Sequence, residues 1–551
     1  MHQRRKLYWI HATIPLCLVV LGLQGCGDGD DDSNNGDTNP VTSGGTSSSG
    51  GSSGAGNGGS TGANGGNGAN GGNGGDDDNG GDDGNGGNGG NGGDDDGKGG
   101  TDGKGGTDGK GGTGGLSYAG SGGVGGSVGS GGSSAGSGGL SPGGGPNAPK
   151  HFVYIESNDP AGNAVLAFAR SKDGALKPVS GGRYMTGGTG LSAGKNQRRG
   201  PLDSDQNLIL SEDERHVFAV NSGDSTVAVF RTRADGVLKP IMGSPFFGGG
   251  KNPVSIGQVG NKLYVVNKEA DGKAQPSYAV LELGLDGMLS LPKNATVRTP
   301  LGGSPSIAYV SPNQGLLFGT QFFDGARPNQ APLGQIDAFS IDDSGKLVQA
   351  PYSPFALPLE IFGILSRPRS LALNLVSHPT ENVLYVGFVG RNQLGVYAYD
   401  EDSGALTFLR VAPNSGSGIC RFLINEKATR LYSVNGESAT ISVYDISDAE
   451  NPVETSQILL AQAKSGPPFV DARGLVRTVT SQPFQLAFGP DERQLYVVSQ
   501  RVTTNTEDET GNYLHTLQVD ADGKLSEPKA PIDLRDVDVP PTARPQGVLV
   551  F

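Results

Sequence analysis

The sequence predicts an all-β fold: a seven-bladed β-propeller closed by its terminal strands, preceded by a long Gly-, Asp- and Asn-rich linker. Three observations carry that prediction. A module of short apolar strands recurs along the chain, its aromatic markers 46 to 67 residues apart. Helical periodicity is absent throughout. The two ends of the repetitive region hold complementary fragments of one module.

In chain order, residues 1–26 come first. A basic start (Arg4, Arg5, Lys6) leads into an apolar run from Leu16 to Leu23, and the segment ends on Leu23-Gln24-Gly25-Cys26. This is the layout of a secretory signal peptide, and its apolar run is short for a bilayer span. The ending resembles a bacterial lipobox, which implies cleavage before Cys26 and lipid carried by that residue. The expected address is the cell envelope, lipid-anchored on a periplasmic or outer face. Of the 3 cysteines, Cys17 leaves with the signal and Cys26 is acylated, so Cys420 stands alone. No intramolecular disulfide and no cysteine-rich metal site is expected, and a large buried core must supply the stability.

Residues 27–149 cannot provide that core. They read "GGNGGDDDNGGDDGNGGNGG" and "TDGKGGTDGKGG", with almost no large apolar side chain. Such a segment has nothing to bury against its ordering entropy and is expected to be a disordered spacer. It carries 15 Asp and 3 Lys, a net of −12; with +3 from the signal, −5 of the total −14 remains for residues 150–551. The acidity is therefore mostly a property of the tether. A calcium-binding β-roll is excluded, because "GGNGGDDDN" puts Asp78 where the roll needs an apolar residue.

Residues 150–551 form the repetitive domain. One module reads "HVFAVNSGDSTVAVFRTRADGVLKPI": an apolar strand, a polar turn, an alternating strand, an Asp-Gly turn and a final strand. The markers Phe218, Tyr264, Phe318, Tyr385, Tyr432 and Tyr496 head the recurrences. The period-two alternation and the Asp-Gly or Asp-Ser-Gly pairs are strand and hairpin signals. One more short strand precedes each marker strand ("NLILS", "PVSIG", "PSIAYV", "SLALNLV", "CRFLIN", "FQLAFG"), giving four strands per module, the content of a propeller blade. The domain opens on a second strand, "HFVYIES", and finishes on an orphan first strand, "PQGVLVF". Joined, these make a seventh blade, and closure removes open sheet edges.

The "LYVVN…TVAVF…DGxL" modules resemble the seven-bladed lactonase propeller family, which includes 6-phosphogluconolactonase-type and carboxymuconate cyclase-type enzymes. The resemblance covers residues 151–551. The family often reads Pro-Arg-His, an apolar strand, then His-Pro and an "LYV" strand. Here Arg367-Pro368-Arg369 and His378-Pro379 with "VLYV" match, so Pro368 and Arg369 carry over. The family histidine does not: Ser370 follows Arg369, and counting back from His378-Pro379 gives Asn374. Neither is a general base near neutral pH. His378 falls in an outer turn and reads as structural.

The long insertions are 181–207, 353–370 and 461–484 between blades, and 268–277, 322–335 and 500–512 within middle hairpins. All are expected on one face, which is where function normally sits in such a fold. The between-blade segments carry Arg198, Arg199, Lys251, Arg367, Arg369, Arg421, Arg477 and Arg544, so the channel mouth is expected to be basic. Arginine grips carboxylate or phosphate bidentately. The ligand-binding candidates are Arg199, Arg367, Arg369, Arg421 and Arg544; the competing reading bonds these arginines to loop carbonyls or to acids such as Asp203, Asp205 and Asp471. Cys420 is expected to be a small buried hydrophobe.

No Gly-x-Ser-x-Gly elbow, HExxH, phosphate loop or histidine cluster is present. No cofactor and no metal is implied, nucleic acid is disfavoured, and a monomer is expected. Two functions remain. In the first the protein is a lipid-anchored propeller that binds a small anionic ligand, an envelope protein or a glycan without turnover. In the second it is a lactone hydrolase or cycloisomerase similar to the family, with Arg369 stabilising an enolate or carboxylate and Asp203, Asp205 or Glu360 accepting the proton. The missing histidine favours the first.

Overall fold

The computed structural model describes residues 151–190, 207–269, 273–301, 303–324, 334–358, 361, 371–389, 391–462, 465–470, 476–502 and 510–551. The expected signal and linker, within 1–150, lie outside them.

Among the described residues, seven antiparallel blade sheets and one separate two-stranded hairpin are present; six blades lay their strands down consecutively in chain order, and the seventh joins the two ends. Blade 1 starts at the inner strand Leu208–Leu210 and continues with His216–Asn221 and Thr226–Arg231. The inner strands of blades 2 and 3 are Pro253–Val259 and the pair Gly303–Pro305 and Tyr309–Val310. Those of blades 4, 5 and 6 are Leu371–Ser377, Ile419–Ile424 and Ser481–Phe488. Blade 7 is built from both ends: the last strand, Gln546–Val550, pairs with Phe152–Glu156, matching Tyr154 to Leu549 and Ile155 to Val548. Phe152 and Phe551 exchange both backbone hydrogen bonds at 2.8 Å. Each inner strand neighbours the next, and that of blade 7 returns to blade 1, so the ring is closed.

The outer edge departs from the expected module. In blades 1, 2, 3 and 6 the fourth strand is broken in two, as in Leu289–Ser290 and Thr296–Arg298, both pairing with Ser277–Leu283. Prolines between the halves ("SLPKNAT", "QAPYSPF") cannot donate to the ladder, so the edge strand bows out and returns. The insertions are also partly strand. Residues 181–185 extend the last strand of blade 7, Leu176–Met185, and 461–484 contains a hairpin of Ser465–Val470 with Val476–Val479.

The core is not one mass but a set of slices, one between each pair of neighbouring blades. Leu208, Val217 and Ala228 of blade 1 pack on Tyr154, Val165 and Leu549 of blade 7, and equivalent slices fill the other joints. Alternating side chains on each strand supply both faces of a blade, which is why the period-two pattern is apolar at nearly every position.

The recurrent Tyr and Asp-Gly signals turn out to be two halves of one contact. Tyr154 donates its hydroxyl to Gly236 O of the next blade at 2.8 Å, Tyr264 to Gly345 O at 3.0 Å, Tyr432 to Gly523 O at 3.0 Å and Tyr496 to Gly174 O at 3.0 Å. These glycines adopt φ of +75° to +83°, a turn geometry that side-chain-bearing residues resist. The turn's exposed carbonyl meets a hydroxyl that burial alone would leave unpaired. Tyr385 makes the equivalent bond to Ala449 O at 2.7 Å. In blades 1 and 3 the marker is Phe218 or Phe318, which carries no hydroxyl and packs among apolar side chains instead.

Candidate channel site

Aligned by strand pairing, the inner strands place one residue of each blade opposite the position two beyond its aromatic marker. Blades 2, 4 and 5 put Ser255, Asn374 and Arg421 there, paired with Val266, Gly387 and Val434. Blades 6 and 7 put Gln485 and Gln546 there, paired with Val498 and Glu156. In blade 1 Asn207 O accepts from Val220 N, and in blade 3 Ser306 N donates to Thr320 O, both at 3.0 Å. All seven are polar, and none is more than 6 % exposed. In blades 4, 5 and 6 a β-bulge immediately before this position (Leu373, Cys420, Phe484) re-aims the strand, a common device beside sites.

On blades 1, 2, 3 and 6 the belt side chains are hydrogen-bonded within the protein. Ser255 Oγ accepts Ala308 N at 3.1 Å, and Ser306 Oγ donates to Leu373 O at 2.9 Å. Gln485 Nε2 donates to Asn207 Oδ1 at 2.8 Å while its Oε1 accepts Gly547 N. Asn207 Nδ2 in turn donates to Glu156 Oε2 at 2.7 Å, and Asn163 Nδ2 bonds Glu156 Oε1 at 2.5 Å. Burial pushes the Glu156 carboxyl well above the ordinary range, although both amides favour its charged form. Two belt residues differ from this. The side-chain amides of Asn374 and Gln546, both wholly buried, have neither atom hydrogen-bonded. An unsatisfied buried polar group costs about 1–3 kcal/mol and calls for a reason.

Below the belt lies a cavity of about 370 Å³, lined by inner-strand residues of six blades, among them Ile307, Leu375, Arg421, Leu423, Leu486 and Val548. It is the propeller's channel. Ser377, Pro379, Pro312 and Ile424 also line it; they stand where inner strands turn into second strands. The cavity therefore extends toward the face opposite the between-blade connections, not toward the insertions where a ligand was expected. Among the described residues, its walls are apolar apart from Arg421, Gln485, Ser377 and Tyr309, and no acidic residue or histidine lines it. The volume suits a small organic ligand.

Of the two expected anchors among the described residues, Arg421 reaches this cavity. It is 1 % exposed, its Nη1 donates to Cys420 O at 3.1 Å, and its guanidinium lies 5.6 Å from the Phe484 ring centre, within range of a cation–π contact. Arg544 is placed elsewhere: its Nη1 donates to Ala543 O at 2.9 Å and Pro541 O at 3.2 Å, the loop-carbonyl role. Arg199, Arg367, Arg369, Asp203, Asp205 and Glu360 lie outside the described residues. Cys420 is buried within the slice between blades 5 and 6. His378 is a turn brace, its Nε2 3.1 Å from Ala428 O and its Nδ1 accepting Glu381 N at 3.1 Å.

The sequence analysis missed one polar constellation. Ser499 Oγ lies 3.0 Å from His515 Nε2, and His515 Nδ1 lies 2.7 Å from Glu527 Oε1. The order of groups is that of a nucleophile, a base and an orienting acid, but the bonds are spent inside blade 6. Glu527 accepts Ala461 N at 2.6 Å, and the Ser481 hydroxyl lies 2.8 Å from Ser499 Oγ and 2.7 Å from Gly511 O. Ser499 and His515 are each 1 % exposed, and neither lines the cavity. The group ties Ala461 and Ser481, at and near the two ends of the 461–484 insertion. No sequence signal brings three residues 12 to 28 positions apart together. Among the described residues, no group of three or more His, Cys, Asp or Glu could hold a metal ion.

Fold and cavity together define a seven-bladed β-propeller with a ligand-sized channel. Residues 370–500, which include Asn374, Arg421 and Gln485, match the family model described as Lactonase, 7-bladed beta-propeller. Among solved structures, a putative 6-phosphogluconolactonase from Bacteroides fragilis matches at 15% identity and TM-score 0.51, over 74% of this chain and 99% of that one. The periplasmic gluconolactonase of Pseudomonas aeruginosa matches at 15% identity and TM-score 0.51, over 73% and 99%. A putative 6-phosphogluconolactonase from Bacteroides uniformis matches at 13% identity and TM-score 0.51, over 73% and 100%. At these identities the likeness is one of fold. No curated protein matches the chain in sequence.

Proposed function

We propose that this protein is a lipid-anchored binding module of the cell envelope that holds a small organic anion in its propeller channel, without turnover. The observation that supports this most is Arg421, a guanidinium buried in the wall of an otherwise largely apolar cavity. A charge so placed grips a carboxylate strongly because water does not compete. Among the described residues the same wall holds no carboxylate or histidine to act as a general base, and Asn374 stands at the position where the resemblance puts a histidine. A lactone-hydrolysing reading is favoured instead by the family match over residues 370–500.

One experiment separates the two. The full chain is titrated by calorimetry with sugar lactones, aldonates and simple carboxylates, with proton release followed in parallel and Arg421→Met alongside. Binding without proton release, weakened at least tenfold in the variant, is the expected result. Turnover of a lactone would replace this reading by the enzymatic one, and binding indifferent to Arg421→Met would remove the site. The anchoring is tested separately. Cys26→Ser moves the protein from the membrane to the soluble fraction, and an unchanged distribution would show that Cys26 carries no lipid.

A further inference from the structure

The outer edge of blades 1 and 2 carries an exposed apolar patch that neither the channel nor the core uses. Met242 and Phe247, on the outermost segment of blade 1, are 83 % and 57 % exposed; Met288 and Leu291, on that of blade 2, are 38 % and 41 % exposed. Both segments belong to the broken fourth strands, and they lie side by side. The Met288 methyl is 3.9 Å from where a Cβ on Gly243 would stand, and a Leu291 methyl is 3.7 Å from the same point on Gly249. Large apolar side chains grouped in water on one edge mark an interaction surface, unlike apolar residues exposed singly.

The charges along these segments are of one sign. Residues 239–251 and 288–301 contain Lys239, Lys251, Lys293 and Arg298 and no acid, and Lys239, Lys293 and Arg298 are exposed. The nearest acids in sequence, Asp235 and Asp286, sit in the hairpin turns before the two segments, and Asp235 is paired with Arg233 at 3.0 Å. This basic edge belongs to a region whose overall balance is acidic, −5. A second copy of the chain fits it poorly, because a two-fold interface would set the patch against itself and bring its cations together. A bilayer with anionic headgroups fits well: separate Met, Phe and Leu side chains enter the headgroup boundary while the cations meet phosphate. We propose that the outer edge of blades 1 and 2 docks on an anionic lipid surface. The contact needs neither the channel ligand nor the lipid expected on Cys26. Docked by its rim, the propeller keeps both ends of the channel clear of the bilayer.

Vesicle flotation tests this on the chain from Gly27 onward, which carries neither the expected signal nor a lipid. Vesicles of phosphatidylcholine mixed with phosphatidylglycerol are expected to bind it, and vesicles of phosphatidylcholine alone to bind about tenfold less. Met242→Ser with Phe247→Ser, and separately Lys293→Ser with Arg298→Ser, are each expected to lower binding about tenfold. The melting temperature should not change, since all four side chains are exposed. Val453→Ser with Leu459→Ser, exposed apolar residues on the outer strand of blade 5, should bind like wild type; an equal loss there would overturn the location. Equal binding to both kinds of vesicle, or binding to neither, would overturn the proposal. A dimer seen by light scattering, dissolved by Met242→Ser with Phe247→Ser and without vesicle binding, would assign the patch to a second copy instead. None of these failures touches the channel site or the anchor, which are read by carboxylate titration and by Cys26→Ser.

Discussion

Gly319→Ala is expected to destabilise the propeller by about 3–5 kcal/mol, the sum of an overpacking cost and an orphaned buried polar pair. Gly319 lies on the second strand of blade 3, Leu316–Asp324, and its backbone needs no special φ. What it needs is the absence of a side chain. A Cβ there would fall on the hydroxyl of Tyr278, with Ile307 O 3.1 Å away. Tyr278 belongs to blade 2 and is 0 % exposed. Its hydroxyl crosses the joint to donate to Asp337 Oδ2 at 2.9 Å, beside Gln321 Nε2 at 2.7 Å. Displacing the ring would cut that bond and leave the carboxyl under-solvated. Urea unfolding gives the measurement, and a double variant gives the control. With Tyr278→Phe present, Gly319→Ala should cost clearly less than it does alone, because the colliding atom has gone. Additive costs in the two variants would show that the joint is not where the strain falls.

The same carboxyl sets the second large effect, a dependence of stability on pH. Burial pushes Asp337 up to about 6, overcoming the hydrogen bonds from Tyr278 and Gln321 that favour its charged form. Because the folded-state value lies above the ordinary carboxylate value of 3.8, the folded protein holds the proton between about pH 4 and 6 while the unfolded chain releases it. The stabilisation is complete below that window and is lost as pH rises through it, by about 3 kcal/mol in all, and the curve is level above it. Glu156, raised for the same reason, adds a loss of the same sign. The test is therefore a difference: the Asp337→Asn stability curve subtracted from that of wild type. That difference should fall across pH 4 to 6 and stay flat at higher pH. A level difference throughout would mean that the carboxylate is solvated in the folded state.

Much of the architecture was open to inspection in the chain. Blade number, closure through "HFVYIES" and "PQGVLVF", and the marker aromatics all follow from local rules. A strand's alternation and a hairpin's Asp-Gly turn depend on neighbours a few residues away, and repetition averages out the errors. Even the belt was latent in the six inner-strand fragments, whose polar residues Asn207, Ser255, Ser306, Asn374, Arg421 and Gln485 fall into one column once pairing aligns them. Pairing was the missing step, because β-bulges of one residue before Asn374, Arg421 and Gln485 shift the register that simple counting assumes.

The site itself was read only in part. Basic residues at blade entries were visible, yet nothing local separates Arg421, which enters the channel wall, from Arg544, which folds back on its own loop carbonyls. Whether an arginine meets a cavity or a carbonyl depends on blades hundreds of residues away in sequence. The bonds of Tyr278 to Asp337 and of Ser499 to His515 have the same origin, as does the cavity's extension away from the insertions. Periodicity and turn chemistry are properties of short segments and can be read along the chain. Cavities, unsatisfied amides and shifted carboxyls are properties of the space between segments, and they exist only when seven blades close around one axis.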